Sequence, residues 1–434
     1  MNIGNSLRSQ YQLIQSFNRL ARLFLLATLI NGIVFSIWWL FFNFYILELG
    51  YSREFLGLVT SATSASALLL GIPLGMLSDR IGRRKAMLWG VVIYVAASGL
   101  EVIVLKPNLI LLMALVSGAG HTLYFISQPP FMMKASNSQN RTLLFSLNFA
   151  LITLSGTFGN LFAGQMPSFF GSMLGVPSDS AMAYRFVLLT AVFLGSLSLI
   201  PLALLRANHK NSSQEPDEQT TSGQSLSMIL HSLRMTITRP ITLKLSLPNL
   251  IIGFGAAILI PYMNIFFHDR FQISDQTLGI LFALSSMFTG VGAFIGPRLA
   301  LMMGTKIRAV VFTQWLSLIF MLLLGFSPYF YLAALAFLIR SALMNMSVPL
   351  YDAFSMEQIQ EREQATVVSV KETAWQLGWT FGPYISGIVQ ETHGFSPLFI
   401  VTSALYAIST LITWVFFRDS EAPPALQPEA AADQ

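Results

Sequence analysis

The stretch Gly75-Met76-Leu77-Ser78-Asp79-Arg80-Ile81-Gly82-Arg83-Arg84-Lys85 decides how this chain is read. It puts one acid, two glycines and four basic residues between apolar runs of membrane length. Gly82 suits a tight turn and Gly75 a close helix approach. Asp79 can accept hydrogen bonds from a neighbouring helix N-terminus, and the basic cluster suits an anionic lipid surface. A plain positive anchor accounts for Arg83, Arg84 and Lys85, but not for an acid and two glycines at fixed spacing.

Around this loop the 434-residue chain is 54% hydrophobic and 10% charged, with a mean hydropathy of +0.63. Soluble chains carry about 25% charge, so most of this surface belongs in lipid. That excludes a soluble enzyme, a nucleic-acid binder and a disordered tail protein. Runs such as Phe186 to Leu205 are apolar on all sides rather than alternating, which leaves helices as the spanning structure. The absence of cysteine removes disulfides, thiolate metal sites and a cysteine nucleophile. With no acid-histidine cluster, metal-ligand spacing or nucleotide-binding loop in view, neither an enzyme nor a cofactor or metal is expected.

Twelve spans are expected, at about 22–48, 55–77, 86–105, 109–132, 142–165, 185–205, 241–267, 276–297, 309–326, 329–351, 364–388 and 396–417. They give an all-α membrane fold of two six-helix bundles, 22–206 and 240–418, with a polar linker at 207–239 and a tail at 419–434. Residues 1–21 lack a signal peptide's apolar core and read as an interfacial helix with Leu7, Tyr11, Ile14 and Phe17 on one face. With the N-terminus inside, the inward loops and linker hold 18 basic residues. The outward loops hold four: Arg53, Lys106, Arg185 and Arg270. Both termini and the linker are therefore expected on the cytoplasmic side of the plasma (inner) membrane, and the pI near 9.4 becomes a topology signal. Glu48 and Glu101, near outward helix ends, are expected to snorkel to water.

The halves repeat. Leu56-Gly57 recurs as Leu278-Gly279 and Gly82 as Gly304, at an offset of 222. Thr157-Phe158-Gly159 recurs as Thr380-Phe381-Gly382 at 223, Gly32 and Asn43 as Gly253 and Asn264 at 221, and Pro130 as Pro349 at 219. Near-constant offsets in four helix pairs indicate a duplicated six-span unit.

On the 75–85 motif and the six-plus-six layout, the chain resembles the major facilitator superfamily, closest in motif to its drug/proton antiporter-like members. The resemblance implies two bundles around a central site lined by helices 1, 4, 7 and 10, alternating access by rocking, and a gating role for Gly75, Asp79, Arg80, Gly82 and Arg83. The second copy of the motif, Pro297 to Arg308, keeps Gly304 but has Leu301 where Asp79 stands in the first. Gly378-Trp379-Thr380-Phe381-Gly382-Pro383 looks like a displaced antiporter motif, with tight packing of the two halves as the competing reading. Span 4 lacks the membrane arginine of many proton-coupled drug antiporters.

Ionisable groups in mid-membrane cost at least ~2.5 kcal/mol and so face protein or water. Arg340 lies near the middle of span 10, and the 219 offset aligns it with His121 in span 4. Arg340 offers a fixed charge and a planar fork to a carboxylate or phosphate; a structural partner of an acid is its alternative. His121 is the mid-span group able to exchange protons near neutrality, or else a packing histidine. Tyr124 and Gln128 share a stripe with His121, and Ser347 and Tyr351 share one with Arg340. Asn31, Trp38 and Asn264 are further binding candidates, with helix-helix hydrogen bonding as the alternative. Glu372, Trp375, Gln376 and Trp379 share a face of span 11: Glu372 is a second proton-coupling candidate, Trp375 and Gln376 are binding candidates, and Lys371 points elsewhere.

The expected function is a secondary transporter, gradient-driven and proton-coupled, exporting an amphipathic or anionic small organic molecule. The alternatives are an uptake symporter or uniporter of a small organic anion and a non-transporting membrane receptor or scaffold. The expected partners are a small-molecule substrate, protons and membrane lipids, with no nucleic acid and a monomeric chain.

Overall fold

The computed structural model describes residues 17–137, 140–205 and 239–420. The readings placed on residues 1–16, on most of the linker (207–238) and on 421–434 lie outside the described residues. The helical rods are α1 (Arg19–Glu48), α2 (Arg53–Ile81), α3 (Arg83–Ile103), α4 (Pro107–Ala135), α5 (Arg141–Leu174) and α6 (Ala181–Ala203). After the linker come α7 (Pro240–Phe271), α8 (Asp275–Met303), α9 (Lys306–Phe326), α10 (Phe330–Glu357), α11 (Glu361–His393) and α12 (Ser396–Phe417). Eleven of them are long and apolar enough to cross a membrane. The exception is α11, which carries Lys371 and Glu372 within its length.

Side chains cap several of these rods. Asn18, Ser52, Ser180 and Thr305 accept from the backbone N–H three residues on, opening α1, α2, α6 and α9. Asn18 also donates to the Ala135 carbonyl at 3.0 Å, and Phe17 beside it is 1% exposed in a cluster with Phe24, Phe131 and Met132. Phe17 is thus core rather than part of a lipid-facing stripe. The sharp turns from α2 to α3 and from α8 to α9 place Gly82 at φ 87° and Gly304 at φ 78°, where side-chain-bearing residues are strained. The repeat seen in sequence is therefore a repeat of backbone geometry.

Two rods are interrupted. α6 breaks at Ser198, and α7 runs as Pro240–Leu259, a 3-10 turn Ile260–Tyr262 and Met263–Phe271, with Pro261 supplying no N–H at the break. α5 continues to Leu174, well past the expected 165, because Pro167 does not end it.

The contacts divide the chain into two compact units. One takes the described residues of 1–225 with Tyr262–Ala283; the other takes those of 226–261 with those of 284–434. Within the first, a Cβ on Gly32 would meet Ser155 and one on Gly159 would meet Ser36, so α1 and α5 touch almost backbone to backbone. Within the second, a Cβ on Gly378 would collide with the Gly253 backbone and one on Gly382 with Ala257, joining α7 to α11 in the same way. The partners sit at the sequence offsets, so the contacts repeat along with the residues. This corrects the packing alternative for the 378–383 motif: its glycines join two helices inside one unit.

Candidate functional site

In the first unit the crossing of α3 and α4 sets the site. Gly90 and Gly120 face each other there: a Cβ on Gly120 would lie 2.5 Å from the Tyr94 nitrogen, and one on Gly90 would lie 2.7 Å from the Tyr124 nitrogen. Only the missing side chains let the helices approach this far, which fixes His121 beside Gly120 and Tyr124 one turn on. The His121 ring lies 4.3 Å from Phe125, 5.8 Å from Tyr94 and 6.1 Å from Phe35, and its Nε2 is buried with no hydrogen-bond partner among the described residues. Asn31 donates to the Tyr124 hydroxyl at 3.3 Å and to the Ala27 carbonyl, while Ser198 donates to its Oδ1 at 3.2 Å. Asn31, His121 and Tyr124, singled out separately in the sequence, thus form one patch of α1 and α4. Trp38 stacks on Phe42 at 4.9 Å, and Gln128 is buried one turn beyond Tyr124.

Asn264 has a different setting. It lies in the part of α7 that packs with the first unit, is 1% exposed, accepts from Asn43 at 2.9 Å and donates to the Leu40 carbonyl at 2.8 Å. Its amide oxygen and nitrogen are both engaged within the protein. Nearby, Arg53 pairs with Asp269 at 2.5 Å and the Tyr184 hydroxyl donates to Asp275. Glu101 overturns the snorkelling expectation: it is 2% exposed, whereas Glu48 is exposed as expected.

In the second unit Arg340 is 5% exposed and points among its own helices. Its Nη2 donates to the Tyr406 hydroxyl of α12 at 3.0 Å, the guanidinium lies 5.7 Å from that ring centre, and Nε has no partner. No carboxylate of the described residues pairs with it. Ser347 and Tyr351 are buried, and Tyr351 donates to the Leu245 carbonyl of α7 at 2.9 Å. The exposed polar residues lie on other faces: Asn345 and Asp352 on α10, and Ser369, Glu372 and Thr373 on α11, with Gln376 and Trp375 half-buried a turn further on. A polar exposed stripe on a membrane-length helix belongs to water rather than lipid. Asp352 escaped the sequence reading because the expected span ended at 351, one residue before it, whereas α10 runs on to Glu357. Lys371 does point away from Glu372, but into an ion pair with Asp352.

The 75–85 motif spans the turn from α2 to α3. Asp79 at the end of α2 and Arg83 at the start of α3 form an ion pair across the Gly82 turn, Arg83 also donates to Ser78 at 3.2 Å, and Ser78 bonds Ser127 of α4 at 2.7 Å. Arg80 is exposed. Gly75 has no atom within 4 Å of where its Cβ would be, so the close approach expected there is not made.

The sequence profile described as Major Facilitator Superfamily matches residues 24–248 and 245–433. The chain belongs to the Major Facilitator Superfamily. The family is one of multi-pass membrane transporters rather than enzymes. The chain is similar to the multidrug resistance protein MdtG of Yersinia enterocolitica, 23% identical over 177 residues, covering 39% of this chain and 42% of that one. MdtG of Proteus mirabilis is 22% identical over 189 residues, covering 42% and 46%. The match thus spans less than half the length of these curated relatives. In fold this facilitator is similar to a bacterial homolog of the human lysosomal transporter Spinster, with TM-score 0.72 at 17% identity over 96% of this chain and 99% of that one. The nucleoside transporter NupG gives 0.68 at 14% identity over 93% and 99%. At these identities the likeness shows the fold alone.

Proposed function

We propose that this facilitator works by alternating access as a proton-coupled exporter of an amphipathic or anionic small organic molecule. In this reading it is a monomer in the plasma membrane with both termini and the linker cytoplasmic. The observation that carries the reading is the pair of repeat-related groups, His121 and Arg340, each held inside its unit with a buried nitrogen that has no hydrogen-bond partner among the described residues. Buried polar atoms are normally paired, and an exception at two matching places suits groups reserved for a ligand or a proton. The aromatic rings around His121 suit a greasy substrate, and the drug-resistance relatives support export.

The test is a ligand screen by thermal shift on purified protein, followed by flux into vesicles with and without a proton gradient. Flux indifferent to the gradient removes the coupling. In His121→Gln, flux is expected to lose its pH dependence; an unchanged pH profile refutes the role of His121. Asp79→Asn breaks the ion pair with Arg83 at the α2–α3 turn. It is expected to slow turnover several-fold while affinity stays within about twofold, and a large affinity loss at normal turnover would contradict gating. A second reading, uptake of a small organic anion, is favoured by Arg340 having no carboxylate partner among the described residues. The direction of gradient-driven flux separates the two.

A further inference from the structure

Glu101 is the buried acid that the reading above leaves unused. It is 2% exposed on α3, a helix of membrane length, and no cation of the described residues pairs with it. At this end of the unit Arg185 donates to the Tyr45 hydroxyl at 3.3 Å, and Lys106 is exposed in the α3–α4 turn. A lone carboxylate in such a place is costly unless something neutralises it.

Hydroxyl oxygens gather around Glu101. The contacts of Gly90 with Tyr124 and of Gly120 with Tyr94 set α3 and α4 antiparallel, in a register that brings Ser117 level with Ser98, one turn from Glu101. The Glu101 side chain meets Ser117, which gives its own proton to the Ala114 carbonyl at 3.0 Å. An ionised Glu101 and Ser117 therefore face each other as two acceptors, which a shared proton or a cation reconciles. Ser98 is buried, and its Oγ has no hydrogen-bond partner among the described residues. The Tyr94 hydroxyl lies near both Ser98 and Glu101. Two helices thus bring one carboxylate and three hydroxyls to one enclosed place.

The crossing itself does not require this polarity. At the repeat offsets of 222 and 219, Ser98, Glu101 and Ser117 fall on Phe320, Leu323 and Ala336. There α9 still packs on α10, with Ser317 donating to the Arg340 carbonyl at 3.3 Å. A proton on Glu101 would settle the contact with Ser117 and leave Ser98 unsatisfied, whereas a metal ion takes the carboxylate and the hydroxyl oxygens together. The donors are all oxygen, which suits a hard cation. One carboxylate among neutral hydroxyls balances a single charge, which favours a monovalent ion over a divalent one.

We propose that Glu101, Ser98, Ser117 and Tyr94 form a binding site for a sodium-sized monovalent cation at the α3–α4 crossing. Ile103, Leu105 and Lys106 are exposed at the end of α3, so an ion entering there crosses roughly 3 Å of helix to reach Glu101. Once bound, it supplies the missing counter-charge and ties α3 to α4 one turn from His121. The site is independent of the proton-coupled reading.

The test uses the purified full-length protein with neither substrate nor gradient, so it is read separately from the flux experiment. In choline chloride at constant ionic strength, added sodium chloride is expected to raise the melting temperature saturably, and radioactive sodium to bind at a single ion per chain. Glu101→Gln is expected to abolish both effects. Ser98→Ala is expected to weaken sodium binding roughly tenfold, as the loss of a partner to a charged group does. Because it removes one oxygen only, Ser98→Ala decides the matter if Glu101→Gln folds poorly. No sodium binding by wild type at neutral or alkaline pH gives the carboxyl a proton instead and overturns the proposal. Unchanged binding in Glu101→Gln or in Ser98→Ala overturns it as well, and so does stabilisation by calcium without any by sodium.

Discussion

Arg340→Met is expected to give a protein that melts above wild type and no longer binds an anionic substrate. The guanidinium is 5% exposed, has one hydroxyl partner and leaves Nε unsatisfied. Keeping a cation in that setting opposes folding, and an apolar side chain of similar volume relieves roughly 1–3 kcal/mol of desolvation. A group that weakens the fold and stays buried invites a functional explanation. The measurement is paired: thermal melting without ligand, and the shift produced by any anion that stabilises wild type. A variant that melts below wild type makes Arg340 a structural partner of Tyr406. An undiminished ligand shift removes it from the site.

Gly120→Val is expected to cost roughly 3 kcal/mol, at the upper end of the range for overpacking, because the added carbons meet backbone rather than a movable side chain. α3 and α4 must separate at the turn carrying His121 and Tyr124, so surviving protein should also lose the Asn31–Tyr124 hydrogen bond. Gly71→Ala is the control: nothing lies within 4 Å of its Cβ, and the helical preference for alanine makes it neutral or slightly stabilising. Detergent-solubilised melting curves decide between them. Equal melting of Gly120→Val and wild type would mean that the crossing is looser than described.

The fold was legible because its determinants are local and periodic. Membrane-length apolar runs located the rods, and a glycine at a fixed offset located a turn of positive φ twice, at Gly82 and Gly304. The ends of rods were less legible: α5 outlasts its apolar run, and α7 breaks at Pro261 inside one, since hydropathy measures lipid preference and not hydrogen-bond continuity. The site was legible in part. An intramembrane charge announces itself, which is why Arg340 stood out, but the sequence does not say which way it points, and its neighbour proved to be Tyr406 on α12. Asn31 and Tyr124 lie 93 residues apart and meet only through the packing of α1 with α4. Lys371 looked idle because its partner lies 19 residues away on another helix.

Asn43 and Asn264 occupy the same position in the two copies, and they hydrogen-bond to each other. An isologous interface has this property in a homodimer, where any substitution on the axis is imposed on both sides at once. Joining both copies in one chain removes that constraint. The bond here is already lopsided, with Asn43 donating to Asn264 and Asn264 donating onward to the Leu40 carbonyl. Freed from symmetry, one copy could keep Asp79 while the other took Leu301, and one could acquire Asp352 and Lys371 where the other has Met133 and Asn148. A repeat carried within one chain can thus change one copy while the other stays as it was.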